Sequence, residues 1–159
     1  MKYLNTSIIT CFVFFKLICV VNVCLSGQEG VVAVVADCHH HRVALWRLRD
    51  GSVWKRIGSY GLEPGQFDGL RAVAVTKQNA LVVTDEHRVQ VLTLDGAVLC
   101  VLDPWTLGDA GFGALGEDLS GVAVCPNTGD ILVTDSVYGA IAALTWTVDP
   151  DTVRIPFDF

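Results

Sequence analysis

The residues best equipped for chemistry stand together at Asp37-Cys38-His39-His40-His41. Carboxylate, thiolate and imidazole are all metal ligands, and imidazole with thiolate suits zinc or copper. Neighbours on one tight turn point in different directions, however, whereas a tetrahedral site draws its ligands from separated positions. Part of the cluster also recurs: Asp85, His87 and Arg88 repeat Asp37, His41 and Arg42. A catalytic group occurs once per site, while a structural group occurs once per repeat. These six residues are therefore expected to build turns, the carboxylate accepting turn N–H groups and pairing with the arginine. A third aspartate, Asp135, has Ala140 where the arginine would stand, so the third repeat is expected to be the looser one. No metal or other cofactor is expected, and His39 and His40 should be exposed.

Other chemistries have less support. G-x-S-x-G is absent, and Ser120 and Ser136 read as ordinary strand positions. Glu117-Asp118 and Asp149/Asp151 lack the ligand spacing of a calcium loop and read as solvated surface. Cys11, Cys19 and Cys24 fall in an apolar N-terminal stretch, leaving Cys38, Cys100 and Cys125, with no C-x-x-C. An odd number without that spacing indicates neither a disulfide framework nor a zinc module. Two of the eleven Lys+Arg, Lys2 and Lys16, also lie in that stretch, so the remainder carries nine against seventeen Asp+Glu, a net −8. Such a surface repels phosphate backbones, and nucleic acid is not expected as a partner. The charge is uneven: residues 31–88 hold eight Lys+Arg against six acids, and residues 89–159 hold Arg154 against ten.

The elements that position these residues are short and β-like. At 52% hydrophobic and 18% charged, the chain is too apolar for disorder. Strands are expected at 31–36, 42–48, 53–57, 71–76, 80–84, 88–94, 97–102, 121–125, 130–134, 140–146 and 152–155. Asp50-Gly51, Asp95-Gly96 and Asn127-Thr128-Gly129 supply turns between them. The strands repeat: Val35-Ala36-Asp37, Val83-Thr84-Asp85 and Val133-Thr134-Asp135 stand 48 and 50 residues apart. A fixed period of four strands per unit is the signature of propeller blades.

The segment GSYGLEPGQFDGLRAVAVTKQNALVVTDEHRVQVLTLDGAVL, from Gly58 to Leu99, resembles the NHL repeats. Gly65-Gln66-Phe67, Arg71–Val75, Val83-Thr84-Asp85 and His87–Val91 follow in that family's order. The resemblance extends over roughly residues 31–146 and is sharpest in the middle unit. It implies an all-β fold, a partial propeller of four-stranded antiparallel blades over residues 27–159. The first unit reads as lacking its opening strand, giving about two and three-quarter blades against the four to eight of a closed ring. Open edges invite pairing with another chain, so self-association is an expectation.

Residues 1–26 read as an apolar leader. Cys24 and Ser26 would suit signal-peptidase cleavage before Gly27, while Lys16 interrupts the apolar run. A leader implies secretion, or membrane anchorage if it is not removed. The functional expectation is a non-enzymatic scaffold binding a protein or ligand; Tyr60, Phe67, Trp105 and Phe112 in the long inter-blade loops are expected either to bury against the neighbouring blade or to form the binding face. The alternative is a fragment of a metal-dependent propeller hydrolase or lyase.

Overall fold

The computed structural model describes residues 18–26, 30–103, 118–145, 147–149 and 152–154, with side chains placed for 30–103 and 118–145. Apart from one 3-10 turn at Cys38–His40, the described residues are all-β. The first sheet is a four-stranded antiparallel meander of β1 (Ile18–Ser26), β2 (Gly30–Asp37), β3 (Arg42–Arg47) and β4 (Val53–Ile57). The second repeats it with β5 (Ala72–Val75), β6 (Leu81–Thr84), β7 (Val89–Leu92) and β8 (Val98–Leu102). The third has three strands, β9 (Leu119–Val124), β10 (Ile131–Asp135) and β11 (Ala140–Leu144). A hairpin of β12 (Thr147–Asp149) and β13 (Thr152–Arg154) follows. Among the described residues no helix is long and apolar enough to cross a membrane.

The sheets stack as blades of a partial propeller. The opening strands β1, β5 and β9 lie side by side, as the innermost strands of successive blades must. Between the first two blades, Val32, Val34, Ala36, Val43, Leu45 and Ile57 pack on Phe67, Leu70, Val73, Leu81, Val83 and Leu92. On the other side of the second blade, Ala74, Val82, Val89, Val91 and Leu102 pack on Leu119, Ile131, Val133, Ala142 and Leu144. Successive residues of a strand point to opposite faces, so Leu81 and Val83 face one neighbour while Val82 faces the other.

The first blade corrects an expectation. It does have an opening strand, β1, which lies within the residues read as leader and pairs with β2 from Ile18↔Asp37 to Ser26↔Gly30. A continuous apolar run has no alternation, and periodicity alone cannot tell an enclosed strand from a signal or membrane segment. The other expected strands match β2 to β11 and β13 to within two residues at their ends, and β12 was not anticipated.

Candidate binding face

In an antiparallel meander, alternate connections emerge at the same end of the sheet. The β2–β3, β6–β7 and β10–β11 turns, with the long connections into β5 and β9, therefore share one end of the blades. Asp37, Asp85 and Asp135 close β2, follow β6 and close β10, so they stand at equivalent places on that end.

Asp85 is 2% exposed and anchors its turn completely. Its Oδ1 accepts the backbone N–H groups of His87 (3.2 Å) and Arg88 (3.0 Å), and its Oδ2 accepts Arg88 Nε at 2.9 Å. The guanidinium then reaches across to the loop between the first two blades. It donates to the carbonyls of Leu62, Gly61 (3.4 Å), Glu63 (3.4 Å) and Gln66 (3.0 Å). Gln90, wholly buried on β7, adds a pincer: Nε2 donates to the Gln66 carbonyl at 2.7 Å and Oε1 accepts the Gly65 N–H at 2.9 Å. Two side chains of one blade thus hold the backbone of a loop leading into it. The Gly61 and Gln66 carbonyls are partly buried, and leaving them unpaired would be costly, which is why a mostly buried guanidinium suits the place.

The first blade solves the same problem differently. Two extra residues separate Asp37 from its arginine, and His41 takes a left-handed conformation, φ 50°. Asp37 Oδ2 still accepts Arg42 Nε at 2.9 Å, but its Oδ1 meets the ring of His40, with Nδ1 at 2.7 Å. Burial raises the Asp37 carboxyl, while the contacts with His40 and Arg42 outweigh it and hold the group below its ordinary value. His41 packs edge-on against Tyr60, centroids 4.8 Å apart, whereas its counterpart His87 is exposed. The two histidines recur in sequence without sharing an environment. In the third blade, Asp135 Oδ1 accepts the N–H groups of Val137 (2.9 Å) and Tyr138 (3.0 Å), so the turn survives with Ala140 in the arginine's place.

A polar seam crosses all three blades at this end. Cys38 Sγ lies 3.8 Å from the Arg71 carbonyl. Arg71 Nη2 stands 3.7 Å from Glu86 Oε1 and 2.9 Å from Asp118 Oδ1. The latter is an ion-pair contact and not an aligned hydrogen bond. Asp118 Oδ2 in turn accepts the Ser136 hydroxyl at 2.5 Å. Asp118 is therefore no freely solvated loop carboxylate, and Ser136 sits in a turn and not in a strand. Close approach requires Gly69, φ 64°, where a Cβ would come within 2.6 Å of Glu86 Oε2. Cys38, His39, Gly69, Leu70, Arg71 and Glu86 line an open cleft of about 210 Å³.

His39 and His40 are exposed, and among the described residues no three His, Cys, Asp or Glu side chains converge as metal ligands would. Of the aromatic candidates, Tyr60 is 66% exposed. Phe67 is not on the surface: it is fully buried in the core between the first two blades. Its ring fills the space over Gly58, where a Cβ would fall 2.2 Å from Cε2. Trp105, Phe112 and Glu117 lie outside the described residues, as does Asp151, and the side chain of Asp149 is likewise outside them. The sequence reading missed Arg71, Gln90, Asp118 and Ser136, because the partners of each lie on other turns and loops brought close only by folding.

No family profile matches the chain, and no curated protein is significantly similar to it. Among solved structures it is similar to glutaminyl cyclase of Myxococcus xanthus, with TM-score 0.51 and 18% identity over 70% of this chain and 50% of that one. It also aligns with Kuenenia stuttgartiensis hydrazine synthase, at TM-score 0.46 and 16% identity, over 89% of this chain and 37% of that one. The chain thus spans half of the glutaminyl cyclase chain or less of its matches, and the first likeness supports the propeller-like fold alone.

Proposed function

We propose that the chain is a non-enzymatic scaffold of NHL-repeat type that takes a protein segment on its loop face. One observation carries this reading. Tyr60, Leu62, Val137 and Tyr138 are large apolar residues left between 51% and 68% exposed, and all four stand on connections at the same end of the blades. Arg88 holds the Leu62 carbonyl, Asp135 accepts the Val137 and Tyr138 N–H groups, and the Tyr60 ring rests against His41. Exposed tyrosines on a rigid base lose little entropy on binding, which is the property of interface anchors. The adjoining cleft, at about 210 Å³, falls below the ~300–1,000 Å³ usual for small-molecule sites, which favours a protein over a small ligand. The order of features from Gly58 to Leu99 supports the NHL assignment within the propeller class.

A random peptide library panned on the immobilised full chain tests this. Selected peptides should protect residues 59–62 and 136–138 from hydrogen exchange, and Tyr60→Ala should weaken them at least about tenfold. Peptides indifferent to Tyr60→Ala and Tyr138→Ala would overturn the loop-face reading. One equivalent of Zn²⁺ or Ca²⁺ retained in equilibrium dialysis, with hydrolysis of model esters, would favour the metal-dependent hydrolase or lyase.

A further inference from the structure

The two ends of the blades differ in charge. At the loop end, residues 37–42, 58–71, 85–88, 103, 118 and 135–139 hold eight Asp+Glu against three arginines. At the opposite end, residues 47–52, 76–80, 93–97 and 125–130 hold three acids against Arg47, Arg49 and Lys77. The arginines of the loop end are already engaged. Arg42 and Arg88 lie against Asp37 and Asp85, and Arg71 lies between Asp118 and Glu86. Glu63 is exposed and Asp68 half-buried, and neither forms an ion pair among the described residues.

These carboxylates lie among the exposed apolar residues. Glu63 follows Leu62 on the connection that carries Tyr60. From that connection a line of contacts leads to the turn that carries Tyr138. The Asp68 carbonyl accepts the Glu86 N–H at 3.2 Å, Arg71 stands between Glu86 and Asp118, and Asp118 accepts the Ser136 hydroxyl. A segment lying from Tyr60 to Tyr138 therefore runs along Glu63, Asp68 and Glu86. A neutral segment would strip water from those carboxylates and put nothing in its place, and an acidic one would be repelled. A cationic side chain replaces the water and is also attracted to the face of an exposed tyrosine ring.

We infer that the protein segment taken by the loop face is basic, a stretch rich in arginine or lysine whose cationic groups lie against Glu63, Asp68 and Glu86. The apolar contact with Tyr60, Leu62, Val137 and Tyr138 supplies the area, and the carboxylates between them select the charge of the partner. The inference rests on the loop-face reading proposed above and gives its partner a chemistry.

Fluorescence anisotropy on the full chain reads it, with two labelled peptides as probes, one of alternating arginine and glycine and one of alternating glutamine and glycine. The arginine peptide should bind at least about tenfold more tightly than the glutamine peptide, and should weaken at least about tenfold as salt rises from about 0.05 M to about 0.5 M. Glu63→Gln/Asp68→Asn should weaken it at least about fivefold, whereas Asp50→Asn/Asp130→Asn, the same change of charge at the opposite end, should leave it within about twofold. Equal losses in the two double variants would mean attraction to net charge alone and overturn the inference. So would two peptides that bind alike or not at all. Library peptides that depend on Tyr60 yet carry no excess of Lys and Arg would overturn the basic partner and leave the loop-face reading standing. An arginine peptide indifferent to both Tyr60→Ala and Tyr138→Ala would overturn the loop-face reading, and the inference with it.

Discussion

In the second blade every residue of β6 and β7 is buried, while in the third β10 alternates between buried Ile131, Val133 and Asp135 and outward Leu132 and Thr134. The strands have the same lengths and turns to within a residue or two. What differs is the neighbour: the second blade is packed on both sides, the third on one. The polar groups follow suit. Asp85 holds an arginine that grips the preceding loop, whereas Asp135 accepts the N–H groups of its own turn and has Ala140 in the arginine's place. A blade's stability is thus set less by its own hydrogen bonds than by what lies against its two faces, as expected where neighbour contacts supply the core.

The strongest way to break the comparison is to remove an inner strand. Deleting residues 1–26 takes away β1, exposing the β2 edge and the flank of β5. The first blade is expected to lose cooperative unfolding, monitored by Trp46 and Trp54 fluorescence. A shortened chain with an unchanged transition would show that the first blade does not depend on β1. Next in size is Phe67→Ala, expected to cost about 3–5 kcal/mol in denaturant unfolding as a buried aromatic, where Ile141→Ala on the open face should fall within about 0.5 kcal/mol in the monomer. Asp85→Ala strands a mostly buried arginine and is expected to cost about 3 kcal/mol. Asp135→Ala, which frees the Val137 and Tyr138 N–H groups and strands no arginine, should cost less, about 1 kcal/mol.

Smaller effects sharpen the contrast. Asp37 has a lowered carboxyl value in the folded chain, so its contribution is complete above the ordinary 3.8 and is lost as pH falls through the lower folded value. His40→Ala should reduce that acid-side loss of stability, measured as the denaturation midpoint between pH 2 and pH 5. The smallest readout is chemical. Burial pushes the Cys100 thiol of the second blade up, while the Thr128 hydroxyl and the Thr128 and Asn127 amides bring Cys125 of the third down to about 7. At neutral pH an iodoacetamide time course should label Cys125 well before Cys100; equal rates would remove this difference between the blades.

The blade strands were legible because short runs rich in Val, Leu and Ile are broken by turns that carry Asp-Gly and Asn-Thr-Gly. The repeated aspartates were legible as turn anchors for the same reason: a once-per-blade carboxylate has a once-per-blade task. What stayed hidden depended on distance along the chain. Arg71 meets Glu86 and Asp118, fifteen and forty-seven positions on, and nothing local announces such a pair. β1 was hidden because its largely apolar run reads equally well as a leader, and Phe67 stayed open between burial and the binding face because only folding sets its ring over Gly58.

Hydrogen exchange in dilute, monomeric solution tests the stacking of the blades most directly. β6 and β10 are each hydrogen-bonded to strands on both sides, so any difference between them reports packing. The amides of Leu81–Thr84 should outlast those of Ile131–Asp135 by at least about tenfold, since opening a doubly covered strand approaches global unfolding. Equal protection of the two strands, or slower exchange in β10, would contradict the account.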